Sequence, residues 1–299
     1  MIPEGFEGYL GRLGVVPSGT PSAAELFALQ RAHLERVPYE NVDIQLGRPP
    51  GIDPELSVRR FAAGAGGYCF HLNGAFAALL RALGYDVTLH VGGVHMEPEG
   101  RGANGNHLAL TVRIGADAWF VDVGLGDGPY EPLPLRAGTY ERRGFTYRLE
   151  PSVTEPGGWT FHHDERGAFP VVEFRGEPAG MADFAEEHHR LSTAEDSPFL
   201  TTFTAVRRDA DAVLLLRGRM LVRIEPAGRS ERAVDTADEW FALLAGEFGR
   251  ELGGLDAADR AALWARVSRA HEEWLRSQEE EKEKEGADAA ALSGGHVAP

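Results

Sequence analysis

The only cysteine of the 299-residue chain lies in the run Gly66-Gly67-Tyr68-Cys69-Phe70-His71-Leu72-Asn73, directly after two glycines. Apolar residues then recur at helical spacing, at Leu72, Phe76, Leu79, Leu80 and Leu83. The pattern predicts a helix that carries Cys69 on its first turn and stops at Gly84. A helix N-terminus favours a thiolate, because it presents unpaired N–H groups and the positive end of the helix dipole. Cys69 is therefore either a nucleophile or a buried structural cysteine.

A pair of predicted strands beyond this helix brings two polar residues together. After a first strand from Asp86 to Val94, the segment 107–114 alternates in strand fashion, and a turn at 115–117 sends the chain back through 118–123. In such a hairpin the start of the first strand lies beside the end of the second. His107 and Asp122 are therefore expected within a few residue pairs of each other.

Cys69, His107 and Asp122 are together the groups that activation of a thiol requires. The imidazole takes the thiol proton, and the carboxylate fixes its tautomer and stabilises its charge. Taken singly, His107 could be a surface residue at a strand end and Asp122 a turn acceptor. A carboxylate in the apolar run 119–123 is costly, however, unless it is paired. The joint arrangement favours a nucleophile over a structural cysteine.

The residues around these positions resemble the arylamine N-acetyltransferases, a family that includes related amide synthases. The resemblance covers about residues 6–250 and is strongest over 33–135. It implies that Cys69, His107 and Asp122 form a catalytic triad. The matching segments, in the family's order and spacing, are Val37-Pro38-Tyr39-Glu40-Asn41-Val42-Asp43-Ile44, Gly66-Gly67-Tyr68-Cys69, Asn106-His107-Leu108, Val121-Asp122-Val123-Gly124-Leu125-Gly126 and Pro132-Leu133.

The resemblance also implies an activity and its binding residues. The family moves an acyl group from acetyl-CoA or another acyl-CoA, used as a substrate, to an aromatic amine, hydrazine or hydroxylamine, with no permanently bound cofactor. A backbone cradle for coenzyme A is implied at Gly124, Leu125 and Gly126, although the spacing alone is equally typical of a turn. The implied acceptor pocket, for which the alternative is ordinary core packing, consists of Tyr39, Leu125, Phe199 and Phe203.

Two positions depart from the family's pattern. The family usually has Arg where this chain has Ala65, and that Arg commonly pairs with the carboxylate that matches Glu40. It usually has Glu where this chain has His71. Glu40 therefore lacks its expected cation and must be hydrated, protonated or paired elsewhere. We predict that His71 is the substitute partner of Glu40, the alternative being a histidine that faces solvent.

The residue patterns predict an α+β fold in four parts. Residues 1–85 are predicted to be a helical domain, 86–190 an antiparallel β domain, 191–277 an α/β lid with a C-terminal helix, and 278–299 a disordered tail. The resemblance implies an N-terminal helical bundle, a central antiparallel β-barrel and a C-terminal α/β lid around a cysteine-protease-like Cys-His-Asp core. Ser22 and Glu25 match a capping box at a helix start.

The composition predicts a soluble protein of the cytoplasm. The formal net charge of −16 argues against nucleic acid as a partner. We find no apolar run that would span a membrane and no basic N-terminal region of a signal peptide. A single cysteine excludes an internal disulfide and favours a reducing compartment. No zinc-ligand spacing is present, so no metal is expected, and the pairs His162-His163 and His188-His189 are predicted to be surface residues.

These inferences favour ping-pong acyl transfer from acyl-CoA through Cys69 to a small aromatic amine. Three alternatives stay open. An amide synthase of the same fold would take its acyl group from a carrier-protein thioester. The triad does not distinguish such an enzyme from one that uses acyl-CoA. A cysteine hydrolase or transglutaminase-like enzyme would share the same three residues. A non-catalytic binding scaffold would be expected to have lost some of them.

Overall fold

The computed structural model describes residues 4–293, with side chains described up to residue 280. Besides one 3₁₀ helix at Met181–Phe184, its helices are α1 (Glu7–Leu13), α2 (Ala23–Arg36), α3 (Val42–Gln45), α4 (Pro54–Ala62), α5 (Cys69–Ala82), α6 (Ala185–Thr193), α7 (Pro198–Thr201), α8 (Ala237–Gly246) and α9 (Ala257–Ser293). Its strands are β1 (Tyr39–Glu40), β2 (Asp86–His95), β3 (His107–Ile114), β4 (Asp117–Val121), β5 (Leu133–Pro134), β6 (Gly138–Arg142), β7 (Phe145–Pro151), β8 (Trp159–His162), β9 (Val171–Phe174), β10 (Thr204–Arg208), β11 (Val213–Arg217), β12 (Met220–Glu225) and β13 (Gly228–Ala233).

The N-terminal part of the chain is helical, and α5 lies in its core. Residues of α5 are buried on nearly every side, as a helix that is apolar all round requires. The helix begins at Cys69, as predicted, and the chain leaves it through Gly84 in the left-handed conformation (φ +90°). Cys69 therefore lies on the first turn of a helix that the surrounding core holds in place.

The predicted capping box at the start of α2 is only half correct. Ser22 accepts a hydrogen bond from the Glu25 N–H (3.2 Å), so the N-cap itself forms. The Glu25 carboxylate, however, accepts from the Ser18 N–H (2.5 Å) and the Tyr85 hydroxyl (3.0 Å). A tertiary contact with Tyr85, which lies just before β2, thus replaces the local contact that the capping box needs.

An eight-stranded antiparallel sheet follows, in the order β5-β4-β3-β2-β9-β8-β7-β6. It forms a nearly closed barrel. Its strands share a second core, in which Phe120 stacks on Phe174 with ring centroids 5.4 Å apart. The register pairs Gly92 of β2 with His107 of β3. The hairpin that the sequence predicts over residues 107–123 is therefore part of the barrel wall.

A second antiparallel sheet has the order β1-β10-β11-β12-β13 and forms the lid. Helices α8 and α9 cover one of its faces through a third core that contains Trp240, Leu263 and Val267. At the edge of the sheet, Tyr39 of β1 pairs with Val206 of β10 and also bridges to Gly67. The lid is thus joined through β1 to the loop that leads into α5.

The α+β class and the order of helical bundle, barrel and lid are confirmed. The domain boundaries at residues 85, 190 and 277 stay predictions.

The last helix runs through residues 278–293, where the sequence analysis expects a disordered tail. Glu, Lys and Ala, which dominate this segment, have high helix propensity, and this favours a helix without an apolar face to bury. Residues 294–299 of the predicted tail lie outside the described residues.

Within residues 4–293, no helix combines the length and the apolar character needed to cross a membrane. The part of the chain whose side chains are described also contains no group of three or more His, Cys, Asp and Glu residues placed to hold a metal ion.

Candidate active site

Three separate elements bring Cys69, His107 and Asp122 together. Cys69 is the first residue of α5, His107 is the first residue of β3, and Asp122 directly follows β4. The Nε2 atom of His107 lies 2.7 Å from Oδ2 of Asp122. The Cys69 thiol lies 3.6 Å from the carbonyl oxygen of Asn106, the residue before His107. All three side chains are buried, with at most 4% of each residue exposed.

The strand register explains why His107 and Asp122 meet. Leu110 of β3 pairs with Val121 of β4. One step further along this antiparallel pair, Asp122 lies opposite Ala109, which is two residues from His107. Asn106, just before His107, fixes the start of β3 against β2, because its side chain accepts from the Val94 N–H (2.7 Å) and donates to the Val94 carbonyl (3.1 Å). The position of His107 is therefore set by hydrogen bonds on both sides.

The electrostatics of the site favour a charged His107. Burial alone lowers the pKa of this imidazole, but the adjacent Asp122 carboxylate and the Cys69 sulfur outweigh burial and raise the pKa to about 10. Since Nε2 faces Asp122, the Nδ1 atom is left for Cys69. An imidazolium beside the sulfur stabilises a thiolate. The arrangement therefore places a charged imidazole beside the Cys69 sulfur.

The second oxygen of Asp122 has three hydrogen-bond donors. Oδ1 accepts from the N–H groups of Gly124 (2.8 Å) and Leu125 (3.1 Å) and from the Nδ2 atom of Asn73 (2.9 Å). Asn73 is not among the site residues predicted from the sequence. A signal was available in the spacing, because a polar side chain four residues after Cys69 lies on the same helix face as the nucleophile.

These bonds bear on the predicted cradle for coenzyme A at Gly124, Leu125 and Gly126, which stays a prediction. The N–H groups of Gly124 and Leu125 donate to Oδ1 of Asp122. Glycine is needed for close packing: a Cβ at Gly124 would lie 2.9 Å from the Cys69 Cα. Gly126 has φ +78°, and a Cβ there would lie 3.3 Å from the side chain of Tyr39.

A cavity of about 340 Å³ opens beside Cys69 and His107. Tyr39, Leu125 and Phe199, three of the four residues predicted for the acceptor pocket, line it. The remaining lining is mostly apolar and comes from β2, α6, α7, β10, β11, β12 and the loops around residues 96–106, 124–127 and 168–169. A cavity of this kind suits a small aromatic molecule close to the sulfur.

Phe203, the fourth predicted pocket residue, does not line this cavity. It is 1% exposed and packs edge-on against Trp240 in the third core, with ring centroids 4.6 Å apart. The reason is the alternation of side chains along a strand. Thr204 and Val206 face the cavity, and Phe203 and Ala205 therefore face α8 and α9.

The predicted pairing of His71 with Glu40 is wrong. One Glu40 oxygen lies 3.1 Å from Nε of Arg250 and accepts from the Gly66 N–H (3.0 Å). His71 is buried instead, with its ring nitrogens 3.4 Å from the Tyr68 N–H and from the Pro50 carbonyl. Glu40 therefore finds its cation in Arg250, which is far from it in the sequence and has no local signal.

A buried charged cluster backs one part of the cavity wall. Asp127 lines the cavity, accepts from the Ala168 N–H (2.7 Å) and lies 3.5 Å from Nε2 of His163. Burial opposes the charge on each partner, but their attraction outweighs it, lowering the pKa of Asp127 and raising that of His163. Arg208, 1% exposed, donates to the Asp127 carbonyl (3.1 Å). His163 is therefore not the surface residue that the sequence analysis predicts.

Comparison with known proteins assigns the family. The profile of the N-acetyltransferase family matches residues 22–256, a span that includes Cys69, His107 and Asp122. The chain belongs to this family. Among N-acetyltransferase relatives, the arylamine N-acetyltransferase of Mycolicibacterium smegmatis is 32% identical over 273 residues, which cover 87% of this chain and 97% of the relative. Proansamycin X synthase of Amycolatopsis mediterranei is 29% identical over 250 residues, which cover 80% and 94%.

Solved N-acetyltransferase structures match the fold over most of its length. The arylamine N-acetyltransferase of Mycobacterium marinum in complex with CoA is 26% identical, has a TM-score of 0.80, and is matched over 89% of this chain and 99% of its own. The enzyme of Nocardia farcinica is 31% identical, with a TM-score of 0.77 and coverage of 87% and 95%. The resemblance to the arylamine N-acetyltransferases is confirmed.

Proposed function

We propose that this protein is an acyltransferase that moves an acetyl or other acyl group from acyl-CoA through a Cys69 thioester to an aromatic amine, hydrazine or hydroxylamine. The observation that carries the proposal is the buried contact of Cys69, His107 and Asp122 at the wall of an apolar cavity. The family match and a relative solved in complex with CoA support the same donor. The lone cysteine must stay reduced for this role, which fits the cytoplasm.

The first half-reaction charges the cysteine. The Cys69 thiolate attacks the thioester carbonyl, and the carbon–sulfur bond to coenzyme A breaks. The leaving thiolate takes the proton of the His107 imidazolium, so that free coenzyme A leaves as a thiol. The Cys69 N–H, at the first position of α5, is the proposed donor to the oxyanion. The products are acyl-Cys69 and a neutral His107.

The second half-reaction discharges the cysteine onto the amine. The amine nitrogen attacks the acyl carbon, and neutral His107 accepts the proton that the nitrogen loses. The bond to Cys69 breaks, which releases the amide and restores the thiolate–imidazolium pair. Asp122 stabilises the charge on His107 in both halves. Tyr39, Leu125 and Phe199 are the proposed walls for the aromatic ring of the acceptor.

The donor end of the cavity is proposed to lie at Arg217. This arginine is exposed and lines the cavity at the end of β11, opposite Thr204 of β10. A guanidinium there can pair with a phosphate of the donor, which the rest of the mostly apolar lining does not attract.

An amide synthase of the same fold is the second candidate. The match to proansamycin X synthase over 94% of its length favours it as an alternative. The chemistry at Cys69 would be identical, and the donor would be an acyl thioester on a carrier protein. The phosphopantetheine arm carries a phosphate group in both donors, in the diphosphate of coenzyme A and in the phosphodiester to a carrier-protein serine, so Arg217 serves either candidate.

Intact-mass measurement with a panel of donors tests the proposal. We expect acetyl-CoA or a longer acyl-CoA to add one acyl group to the protein, an aromatic amine to remove it, and Cys69→Ala to stay unmodified while remaining folded. Loss of the nucleophile should lower turnover by several orders of magnitude. Charging by acyl-carrier protein alone would favour the amide synthase. Charging followed by discharge to water, with no effect of amine, would instead indicate a hydrolase.

A further inference from the structure

Asn73 is a buried amide at the point where the elements that carry the triad meet. It lies one helical turn after Cys69 on α5 and is 0% exposed. Its Nδ2 atom donates to Asp122 Oδ1 (2.9 Å) and to the Leu108 carbonyl (2.6 Å). Its Oδ1 atom accepts from the Val123 N–H (2.9 Å). The partners can only accept at the first two sites and only donate at the third, so the orientation of the amide is fixed.

The partners of the Asn73 amide include Asp122 itself and the residues that directly follow His107 and Asp122. Leu108 directly follows His107 on β3, and Val123 directly follows Asp122. The other two donors to Asp122, the N–H groups of Gly124 and Leu125, belong to the same loop as the carboxylate itself. They can orient the carboxylate within its loop, but they cannot fix it relative to Cys69. Of the three donors to Oδ1, Asn73 alone comes from the helix of the nucleophile.

We propose that Asn73 is a positioning residue for the triad, an inference that rests on the proposed function. Its amide donates to Oδ1 of Asp122 and so keeps Oδ2 aimed at His107, while its bond to Leu108 fixes α5 against β3. A misplacement of about 1 Å between reacting groups can lower a rate by about 10²-fold. The side chain itself touches no substrate atom in this account and acts only through Asp122 and β3.

Asn73→Asp gives the sharpest test because it keeps the shape of the side chain. A protonated Asp at 73 can still donate to Asp122, whereas an ionised one cannot donate and repels the carboxylate. We measure the rate at which iodoacetamide alkylates Cys69 from pH 5 to 9, as a ratio to the parent at each pH. Because the chain has one cysteine, the rate reports Cys69 alone and depends on no acyl donor. Because a protonated Asp has one O–H and cannot also donate to the Leu108 carbonyl, we expect a ratio below one at low pH that falls by about a further 10²-fold as the pH rises.

Two further variants separate positioning from packing. Asn73→Ala should lower the alkylation ratio by a similar factor at every pH, because it cannot donate in any protonation state. Gln30→Glu is the matched control: Gln30 is 1% exposed, and its Nε2 donates to the Pro129 carbonyl (2.8 Å), away from the triad. It makes the same amide-to-carboxylate change and should leave the ratio flat. Urea unfolding at each pH identifies the conditions in which each variant is folded.

The inference is overturned if the ratio for folded Asn73→Asp does not change with pH, whether it stays near one or is uniformly low. Such a result would mean that Asn73 only fills space. A parent Cys69 that reacts no faster than free cysteine at pH 7 is a different result: it would overturn the proposed function, and the positioning role with it. Single-turnover acylation by acetyl-CoA should follow the alkylation ratios for all variants.

Discussion

His71 lies two residues after Cys69 and is 2% exposed. Its surroundings hold no carboxylate in hydrogen-bond contact: its ring contacts Tyr68 edge-on and lies near the ring of His188. Burial, and secondly the proximity of His188, lower the pKa of His71 to about 3. His71 is therefore neutral near pH 7, where a histidine paired with Glu40 would be charged.

His71→Ala should make stability less dependent on pH between 7 and 5. The folded-state pKa lies below the unfolded value of 6.5, so the unfolded chain binds the proton first and the parent loses stability as the pH falls below about 6.5. Over this interval the parent should lose about 2 kcal/mol more than the variant does. Urea unfolding at both pH values measures the difference. The exposed His189 supplies a control, since His189→Ala should keep the parental slope. Equal slopes for parent and His71→Ala would show that His71 is solvated in the folded state.

Strand β10 illustrates how one element serves two parts of the molecule. Its cavity face carries Thr204 and Val206, and the opposite face, which begins at Phe203, packs on α8 and α9. Phe199, four residues before Phe203, lies in α7 and lines the cavity. Two phenylalanines that look equivalent in the sequence therefore belong to different environments.

Phe203→Ala and Phe199→Ala should give opposite results. Truncating Phe203 opens a void against Trp240, so we expect a loss of about 3 to 5 kcal/mol in unfolding free energy. The KM for the aromatic amine should not change where the protein is folded. Truncating Phe199 should raise that KM several-fold at a smaller cost in stability. Calorimetry and steady-state kinetics on the two variants check this. A raised KM for Phe203→Ala would show that Phe203 belongs to the acceptor pocket after all.

At the scale of the whole molecule, a buried ion pair joins β1, near the start of the chain, to the segment that follows α8. Glu40, in β1, is 2% exposed, and the Arg250 side chain that meets it is 14% exposed. Glu40 also accepts from the N–H groups of Gly66 (3.0 Å) and Val42 (2.6 Å). The segment after α8 therefore supports the loop that presents Cys69, in the place where the family usually has an arginine in that loop.

Arg250→Met should lower the unfolding free energy by about 3 kcal/mol, because it removes the cation that contacts the buried Glu40 carboxylate and leaves only the more distant attraction of Arg12. Glu40→Gln should also destabilise, and the double variant should lose less than the sum of the two, with a coupling of about 1 kcal/mol or more. Urea unfolding of the parent, the two single variants and the double variant measures this coupling. Additive losses would mean that Glu40 is stabilised by the backbone N–H groups alone. The matched exposed pair Arg223–Glu225 should show little coupling in the same assay.

Local patterns in the sequence determined much of this protein. The helix after Cys69, the strand pair from His107 and the α+β class follow from periodicity, turn residues and short-range hairpin geometry. The proximity of His107 to Asp122 follows too, because a short hairpin leaves few ways to pair its strands. Cys69 could be placed with them because the resemblance to the family supplied the long-range contact.

Only the tertiary structure decided which residue meets which across distant segments. Arg250 rather than His71 pairs with Glu40, Asp122 accepts from the N–H groups of Gly124 and Leu125, and Phe203 packs on Trp240. Each of these contacts depends on the packing of elements far apart in the chain. Sequence periodicity reports which face of an element is apolar, but it does not report which other element will cover that face or which buried charge will find which partner.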